Sequence, residues 1–314
     1  MKIIFTGSGS FTGYWIIKKL VEDGHEVYSL LEEQENLSSG IRGERIKKLA
    51  GTVKCFFNTP YSKPEFFNFL SEIDKVDFFC HHFFDTKDYK SPDYNIISAL
   101  SNSVGDIKAL FTNLKRIGCR YFILTGSSFE PNEGVEGYGS PAFSPYGLSK
   151  SLAFQIFSYY SKINGIKFSK FVIPNPFGPL EEYKFTSYLA DTWLKGGVPV
   201  IKTPDYVRDN IPVDLLSIAY SQMVSDLASG KELTRFSPSG YVENNLAFVG
   251  RMSKELSSRL GIKCKFVAEK HTDFSEPLSR YNADNMFVKF PNYSESSFWD
   301  KLALYYDESF RVKI

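Results

Sequence analysis

Apolar runs of strand length alternate with amphipathic stretches through roughly the first half of the chain, the pattern of βαβ units laid around a parallel sheet. The spacing predicts strands at Lys2 to Thr6, Val27 to Leu31, Val53 to Phe57, Val76 to Cys80, Tyr121 to Thr125 and Phe168 to Ile173. Helices are predicted at Thr12 to Asp23, closed by Gly24, and at Tyr94 to Ile117, closed by Gly118. In the second, Ile97, Leu100, Val104, Ile107, Phe111 and Leu114 recur at helical spacing, a stripe long enough for a core face or a subunit interface. A third helix, Leu148 to Ile163, ends at Asn164-Gly165. After Ile173 the texture changes to Pro174, Pro176, Gly178 and Pro179, where a smaller C-terminal region is expected to begin. Segment Val198 to Leu216 again reads as strand and is expected to rejoin the sheet, making the small domain discontinuous. The expected fold class is α/β, a doubly wound parallel sheet. Its sheet domain takes residues 1–173 plus about 205–235, and the smaller domain takes 174–204 plus about 236–314.

Composition narrows the partners. Among 314 residues, 37 Lys+Arg against 36 Asp+Glu give a formal net charge of +1, so no overall field gathers nucleic acid or an anionic membrane. No apolar run approaches the ~20 residues of a membrane helix. The four cysteines, Cys55, Cys80, Cys119 and Cys264, form no C-x-x-C pair and suggest neither zinc nor a disulfide framework. Met1 leads straight into a strand pattern, so a cytoplasmic protein is expected. His25, His81, His82 and His271 show no ligand cluster, with His81 and His82 on opposite faces of a strand end, and no metal site is expected. The aromatic content of 16%, including 29 Phe, reads as bulky core filling.

The chemistry gathers in two places. Thr6-Gly7-Ser8-Gly9-Ser10-Phe11-Thr12-Gly13 joins the first strand to the first helix, where glycines let backbone approach a pyrophosphate and the helix N-terminus offers free N–H groups. The acid expected at the end of the second strand is displaced, with Leu31 before Glu32, so NAD or NADP stays open. Tyr146 and Lys150 stand one helical turn apart. An adjacent ammonium favours phenolate, which lets the pair move a proton near neutral pH. Tyr14 and Lys18 share that spacing and read as structural. Tyr146 differs by following Thr125-Gly126-Ser127-Ser128 at the strand end where parallel sheets hold ligands, across a long Gly126 to Pro145 connection of the kind that binds.

In these residues the chain resembles the extended short-chain dehydrogenase/reductase superfamily, specifically the nucleotide-sugar epimerase/dehydratase family typified by UDP-galactose 4-epimerase. The T-G-x-x-G-x-x-G loop matches Thr6 to Gly13 with Ser10 for the middle glycine, and the Ser/Thr, Tyr and Lys set matches Ser127, Tyr146 and Lys150. A helix asparagine matches Asn102, N-x-x-G-P matches Asn175 to Pro179, and an R-D-led segment matches Arg208 to Leu215. The resemblance implies a Rossmann-type sheet with a smaller substrate domain. It implies cofactor contacts from Gly7, Ser10, Phe11, Thr12, Gly13, Glu32, Asn58, His81, Asn102, Tyr146 and Lys150. Substrate contacts are implied from Ser127, Ser128, Asn175, Arg208 and Arg280, with Asn175 and Arg208 on a diphosphate. The helices at Tyr94 to Ile117 and Leu148 to Ile163 resemble the pair that makes a homodimer in this family.

Departures narrow the reading. His81-His82-Phe83-Phe84 puts two rings where the family's H-x-A-A leaves room beside the cofactor, and Phe57-Asn58 replaces its G-D. Ser127 is followed by Ser128-Phe129, not the Asp-Glu of 4,6-dehydratases, and Glu130 is displaced by one residue, so dehydration is disfavoured. The expected activity is epimerisation of a nucleotide sugar by transient hydride transfer to NAD or NADP. The alternatives are an NADPH-dependent ketosugar reductase and a non-catalytic dinucleotide-binding protein.

Overall fold

The computed structural model describes residues 1–34, 39–134 and 141–311; of the long Gly126 to Pro145 connection, 135–140 lie outside the described residues. The first half alternates as the hydrophobic pattern requires: β1 (Lys2–Thr6), α1 (Phe11–Glu22), β2 (Glu26–Leu30), α2 (Gly40–Ala50), β3 (Lys54–Phe56), α3 (Pro64–Glu72) and β4 (Phe78–His81). It continues through α4 (Ile96–Val104), α5 (Ile107–Arg116), β5 (Tyr121–Ser127), α6 (Pro145–Ile163) and β6 (Lys167–Ile173). Polar caps start the helices: Ser10 accepts from the Gly13 amide of α1 and Ser144 from the Gly147 amide of α6, where Pro145 needs no amide partner.

The second half brings β7 (Asn175–Phe177), α7 (Phe185–Leu194), β8 (Val200–Ile201), β9 (Val207–Pro212), α8 (Val213–Ala228), β10 (Arg235–Phe236) and β11 (Pro238–Ser239). It closes with β12 (Tyr241–Asn244), α9 (Asn245–Leu260), β13 (Val267–Ala268), β14 (Ser279–Arg280), β15 (Asp284–Asn285), α10 (Met286–Lys289) and α11 (Glu295–Phe310).

The main sheet has seven strands in the order β10-β6-β5-β4-β1-β2-β3, all parallel. Period-two alternation divides its side chains between two cores. Ile3, Phe5 and Phe78 pack with Ile17, Leu20, Ala219, Tyr220 and Met223 of α1 and α8, while Ile4, Phe79 and Phe122 meet Phe66, Phe111 and Phe157 of α3, α5 and α6. Much of the aromatic excess is spent in that second core. Strand order reverses between β1 and β4, which is the switch point where such sheets hold ligands at their C-terminal edge. A third core joins Phe177, Trp193, Phe248, Met252, Trp299 and Tyr306 around α7, α9 and α11.

Two sequence expectations are corrected. The Tyr94 to Ile117 helix is two helices, because Gly105 adopts φ +60 and Asp106 caps the second by accepting from the Ala109 amide. A Cβ on Gly105 would lie 2.0 Å from Ser62 Oγ, which accepts from the Asp106 amide. The apolar stripe could not reveal the break, since Val104 and Ile107 keep helical spacing across it. Segment Val198 to Leu216 does not rejoin the main sheet as a strand. β9 pairs with β7, β12 and β14 in a separate sheet, and from Val213 the chain is helical; α8 packs on α1, and β10 is the strand that joins the main sheet beside β6. A strand running directly into an amphipathic helix reads as one apolar run. Among the described residues no helix is long and apolar enough to cross a membrane.

Candidate active site

A cleft of about 1270 Å³ opens at the C-terminal edge of the main sheet, above the usual range for one small ligand. One wall is the β1–α1 turn. Gly7 adopts φ +74, and a Cβ there would meet the Phe83 backbone nitrogen at 2.8 Å, so only glycine lets the two backbones pass. Ser10 Oγ donates to the Gly7 carbonyl at 2.8 Å and accepts from the Gly13 amide at 3.1 Å, so the serine in the glycine position serves as helix cap. Ser10, Phe11 and Thr12 line the cleft at the start of α1, where first-turn N–H groups lack helical acceptors. Gly13 stands behind them, and a Cβ there would meet the Gly7 carbonyl oxygen at 2.5 Å. Glu32 and Glu33 line the cleft beyond β2, with Arg42 of α2 paired to Glu33. This cradle of close-approach glycines, helix N-terminus and ribose-type acceptors fits a dinucleotide.

The opposite wall carries the titratable set. Ser127, Tyr146 and Lys150 all line the cleft. Ser127 ends β5, its amide donates to Glu130 Oε1 at 2.8 Å, and its Oγ accepts from the Phe129 amide. The Tyr146 ring packs among Phe84, Tyr89, Tyr94 and Phe129, with ring centroids 5.0 to 6.2 Å away. Burial pushes the phenol well above its ordinary value, the Glu130 charge adds to that, and a hydrogen bond with Ser127 opposes it. Lys150 Nζ donates to the Thr125 carbonyl at 2.9 Å and lies 4.4 Å from the Phe84 ring centre, nearer than the 5.9 Å to Tyr146. Burial brings the ammonium down to about 8, with Glu130 opposing. Burial is the largest influence on both groups in this arrangement.

Other expected contacts are redistributed. His81 faces the core between Thr6 and the Ser103 carbonyl, and burial pushes it down to about 3, so it is neutral. Its neighbour His82 lines the cleft instead, 2.9 Å from both Thr12 and Thr125 hydroxyls, which ties α1 to the ends of β4 and β5. Asn58 is exposed in a left-handed turn and is not among the described lining residues; Tyr61 and Lys63 take that side. Asn102 lines the cleft, bonded to Asp85, as does Asn175, bonded to Asn210. Phe83 and Phe84 reshape the cleft beside Gly7 and Lys150.

Arg208, Arg280 and Ser128 are also absent from the described lining. Both guanidiniums converge on Glu276 Oε2, at 2.9 and 3.1 Å, and Arg280 stacks on Phe129 with Ser128 Oγ at 3.3 Å. Burial lowers Arg280 to about 10.

Sequence reasoning missed what holds Ser127. Glu130 turns away from the cleft to Lys170, which also binds Glu133 at 2.7 Å, and Glu133 pairs with Arg235. A Cβ on Gly126 would lie 2.4 Å from Lys170 Cε, so that glycine lets the lysine cross beneath the strand. The available signal was a charge inside the apolar run Phe168-Ser169-Lys170-Phe171.

Residues 3–236 match the profile of the NAD dependent epimerase/dehydratase family. A Methanocaldococcus jannaschii protein named "Putative UDP-glucose 4-epimerase" is 24% identical over 275 residues, covering 79% of this chain and 83% of that protein. The UDP-glucuronic acid 4-epimerase of Bacillus cereus, solved with UDP-glucuronic acid and NAD, superposes with TM-score 0.74 at 16% identity over 99% of this chain and 100% of that one. The UDP-glucose 4-epimerase of Thermotoga maritima, solved with UDP-glucose, gives 0.72 at 17% identity, covering 98% of this chain and 99% of that one. At such identities the structural likeness establishes the shared Rossmann-type fold.

Proposed function

The chain belongs to the NAD-dependent epimerase/dehydratase family, and we propose that its reaction is the 4-epimerisation of a UDP-sugar, with Tyr146 carrying the proton. The observation that carries this reading is the convergence of Ser127, Tyr146 and Lys150 with the Gly7 to Thr12 turn on one cleft. The names of its relatives, UDP-glucose and UDP-glucuronic acid 4-epimerases, support the nucleotide and the carbon. Glu130 is held by Lys170 away from the cleft, which supports epimerisation over 4,6-dehydration.

A dinucleotide held on the Gly7 to Thr12 turn would supply reversible hydride-acceptor chemistry at the sugar carbon. Ser127 Oγ holds the reacting oxygen, and Tyr146 takes its proton and later gives it back, so the net reaction consumes nothing. Lys150, which lines the cleft, would hold the nicotinamide ribose. Asn175 meets the diphosphate from the far wall; Arg208 and Arg280 join it by exchanging the Glu276 carboxylate for phosphate oxygens.

The dinucleotide we assign is NAD. Glu32 and Glu33 place two carboxylates where an adenosine 2′-phosphate would need cations, and Glu33 already neutralises Arg42. Dinucleotide binding belongs to residues 1–173 with the return through α8 and β10, and sugar-nucleotide specificity to the remainder. The exposed Ile97 of α4 and Leu148, Tyr159 and Ile163 of α6 support a homodimer through those packed helices, measurable by sedimentation. Buried thiols at Cys80, Cys119 and Cys264 fit a reducing cytoplasm.

The test is to denature the purified protein, identify any released dinucleotide by mass spectrometry, and assay UDP-sugars for isomerisation. Retained NAD with isomerisation, lost by about 10²-fold or more in Tyr146→Phe, is the expected result. Stoichiometric NADPH consumption would overturn it in favour of a reductase.

A further inference from the structure

Arg45 of α2 is fully buried, and nothing in the proposed chemistry uses it. Its guanidinium donates from Nε to the Gly9 carbonyl at 3.0 Å, from Nη1 to the Leu180 carbonyl at 2.7 Å, and from Nη2 to the Glu182 carboxylate. These partners belong to two segments far apart in sequence that the guanidinium brings side by side. Gly9 lies in the β1–α1 turn, whereas Leu180 and Glu182 lie in segment 178–184, whose Glu182 and Lys184 also line the cleft. Leu180 is itself held at φ +67, an uncommon conformation for a side chain branched beyond Cβ, and its carbonyl points at the guanidinium. α2 closes on the turn from behind, with Arg42 and Ile46 only 3.2 Å from where a Gly9 Cβ would stand. A second tie runs beside it, from Trp15 Nε1 to the Pro179 carbonyl at 3.0 Å.

A buried charged donor binds carbonyls strongly, and its planar fork fixes their relative positions; a lysine can supply the charge but not the geometry. Segments joined through such a group do not shift independently. We propose that Arg45 is a positioning residue linking the β1–α1 turn to segment 178–184, so that a dinucleotide on the turn orders that segment for a nucleoside diphosphate, and the reverse. The proposal rests on the dinucleotide reading of the β1–α1 turn. Linkage requires the two effects to be equal in free energy.

Amide hydrogen exchange on the full chain, stripped of dinucleotide, tests it with NAD and UDP as probes. In the wild type NAD should slow exchange at 178–184 as well as at 7–13, UDP should slow 7–13, and each ligand should tighten the other about fivefold or more. In Arg45→Lys, NAD should still protect 7–13, while protection of 178–184 is lost and the tightening falls toward unity. Equal protection of 178–184 in wild type and variant overturns the proposal, as does wild-type protection confined to 7–13. Failure of the dinucleotide reading is distinct, because 7–13 would then be unchanged by NAD in the wild type itself. If Arg45→Lys does not fold, Glu182→Gln replaces it: its half-exposed carboxylate pairs with Arg45 from segment 178–184, and the variant should lower the tightening while leaving NAD protection of 7–13 intact. No change in the tightening would likewise overturn the proposal.

Discussion

Lys150 and Tyr146 stand one turn apart at the start of α6, yet the Lys150 ammonium is bound to the Thr125 carbonyl at 2.9 Å and sits closer to the Phe84 ring than to the Tyr146 ring. The lysine is thus held by the end of β5 and not by its helical neighbour. Its proton affinity reports that environment.

Burial lowers Lys150 from 10.5 to about 8. Between those values the unfolded chain binds a proton that the folded chain lacks, so this group makes stability rise with pH through that window. Urea denaturation at intervals from pH 7 to 10 should show wild type gaining on Lys150→Met as pH increases. A constant difference across the range would mean that the ammonium is not strained by burial.

Glu130 holds both Lys170 and the Ser127 amide. Glu130→Ala leaves a buried lysine with one carboxylate shared with Arg235 and strands the Ser127 N–H, which costs about 3–5 kcal/mol. Glu130→Gln keeps the acceptor and should cost less. Equilibrium unfolding measures the first effect. Isomerisation separates the two further, since Glu130→Ala releases Ser127 and should lower turnover in whatever protein folds, whereas Glu130→Gln should retain more of it.

At Gly105 a methyl group meets Ser62 and the backbone requires a left-handed conformation. Gly105→Ala should therefore destabilise by about 1–3 kcal/mol. Ser62 also has positive φ, so Ser62→Gly relieves local strain and removes the clashing hydroxymethyl. In a double-mutant cycle the second substitution should recover part of the first, and additivity of the two would show that they do not meet.

The carboxylates beyond β2 set the dinucleotide. Replacing Glu32 and Glu33 with serine removes two charges from the adenosine end and frees Arg42. Fluorescence titration should show NADP affinity rising about tenfold relative to NAD, and an unchanged ratio would place selectivity elsewhere.

Local rules determine much of this protein. A glycine turn at residue 7, strand-length apolar runs and a Tyr-Lys step at helical spacing are consequences of neighbouring residues, and for that reason the parallel sheet, the cradle and the Ser127, Tyr146 and Lys150 set were legible in order along the chain. What lay hidden depends on residues distant in sequence. The break at Gly105 comes from Ser62, the support of Ser127 from Lys170 in β6, the choice of His82 over His81 from the face each strand-end residue presents, and the guanidinium of Arg45 from partners 36 and 135 residues away. Burial and pairing are properties of the packed interior. Only the tertiary structure could therefore decide that Lys150 serves Thr125, that Arg208 and Arg280 share Glu276, and that a fully buried arginine ties the β1–α1 turn to segment 178–184.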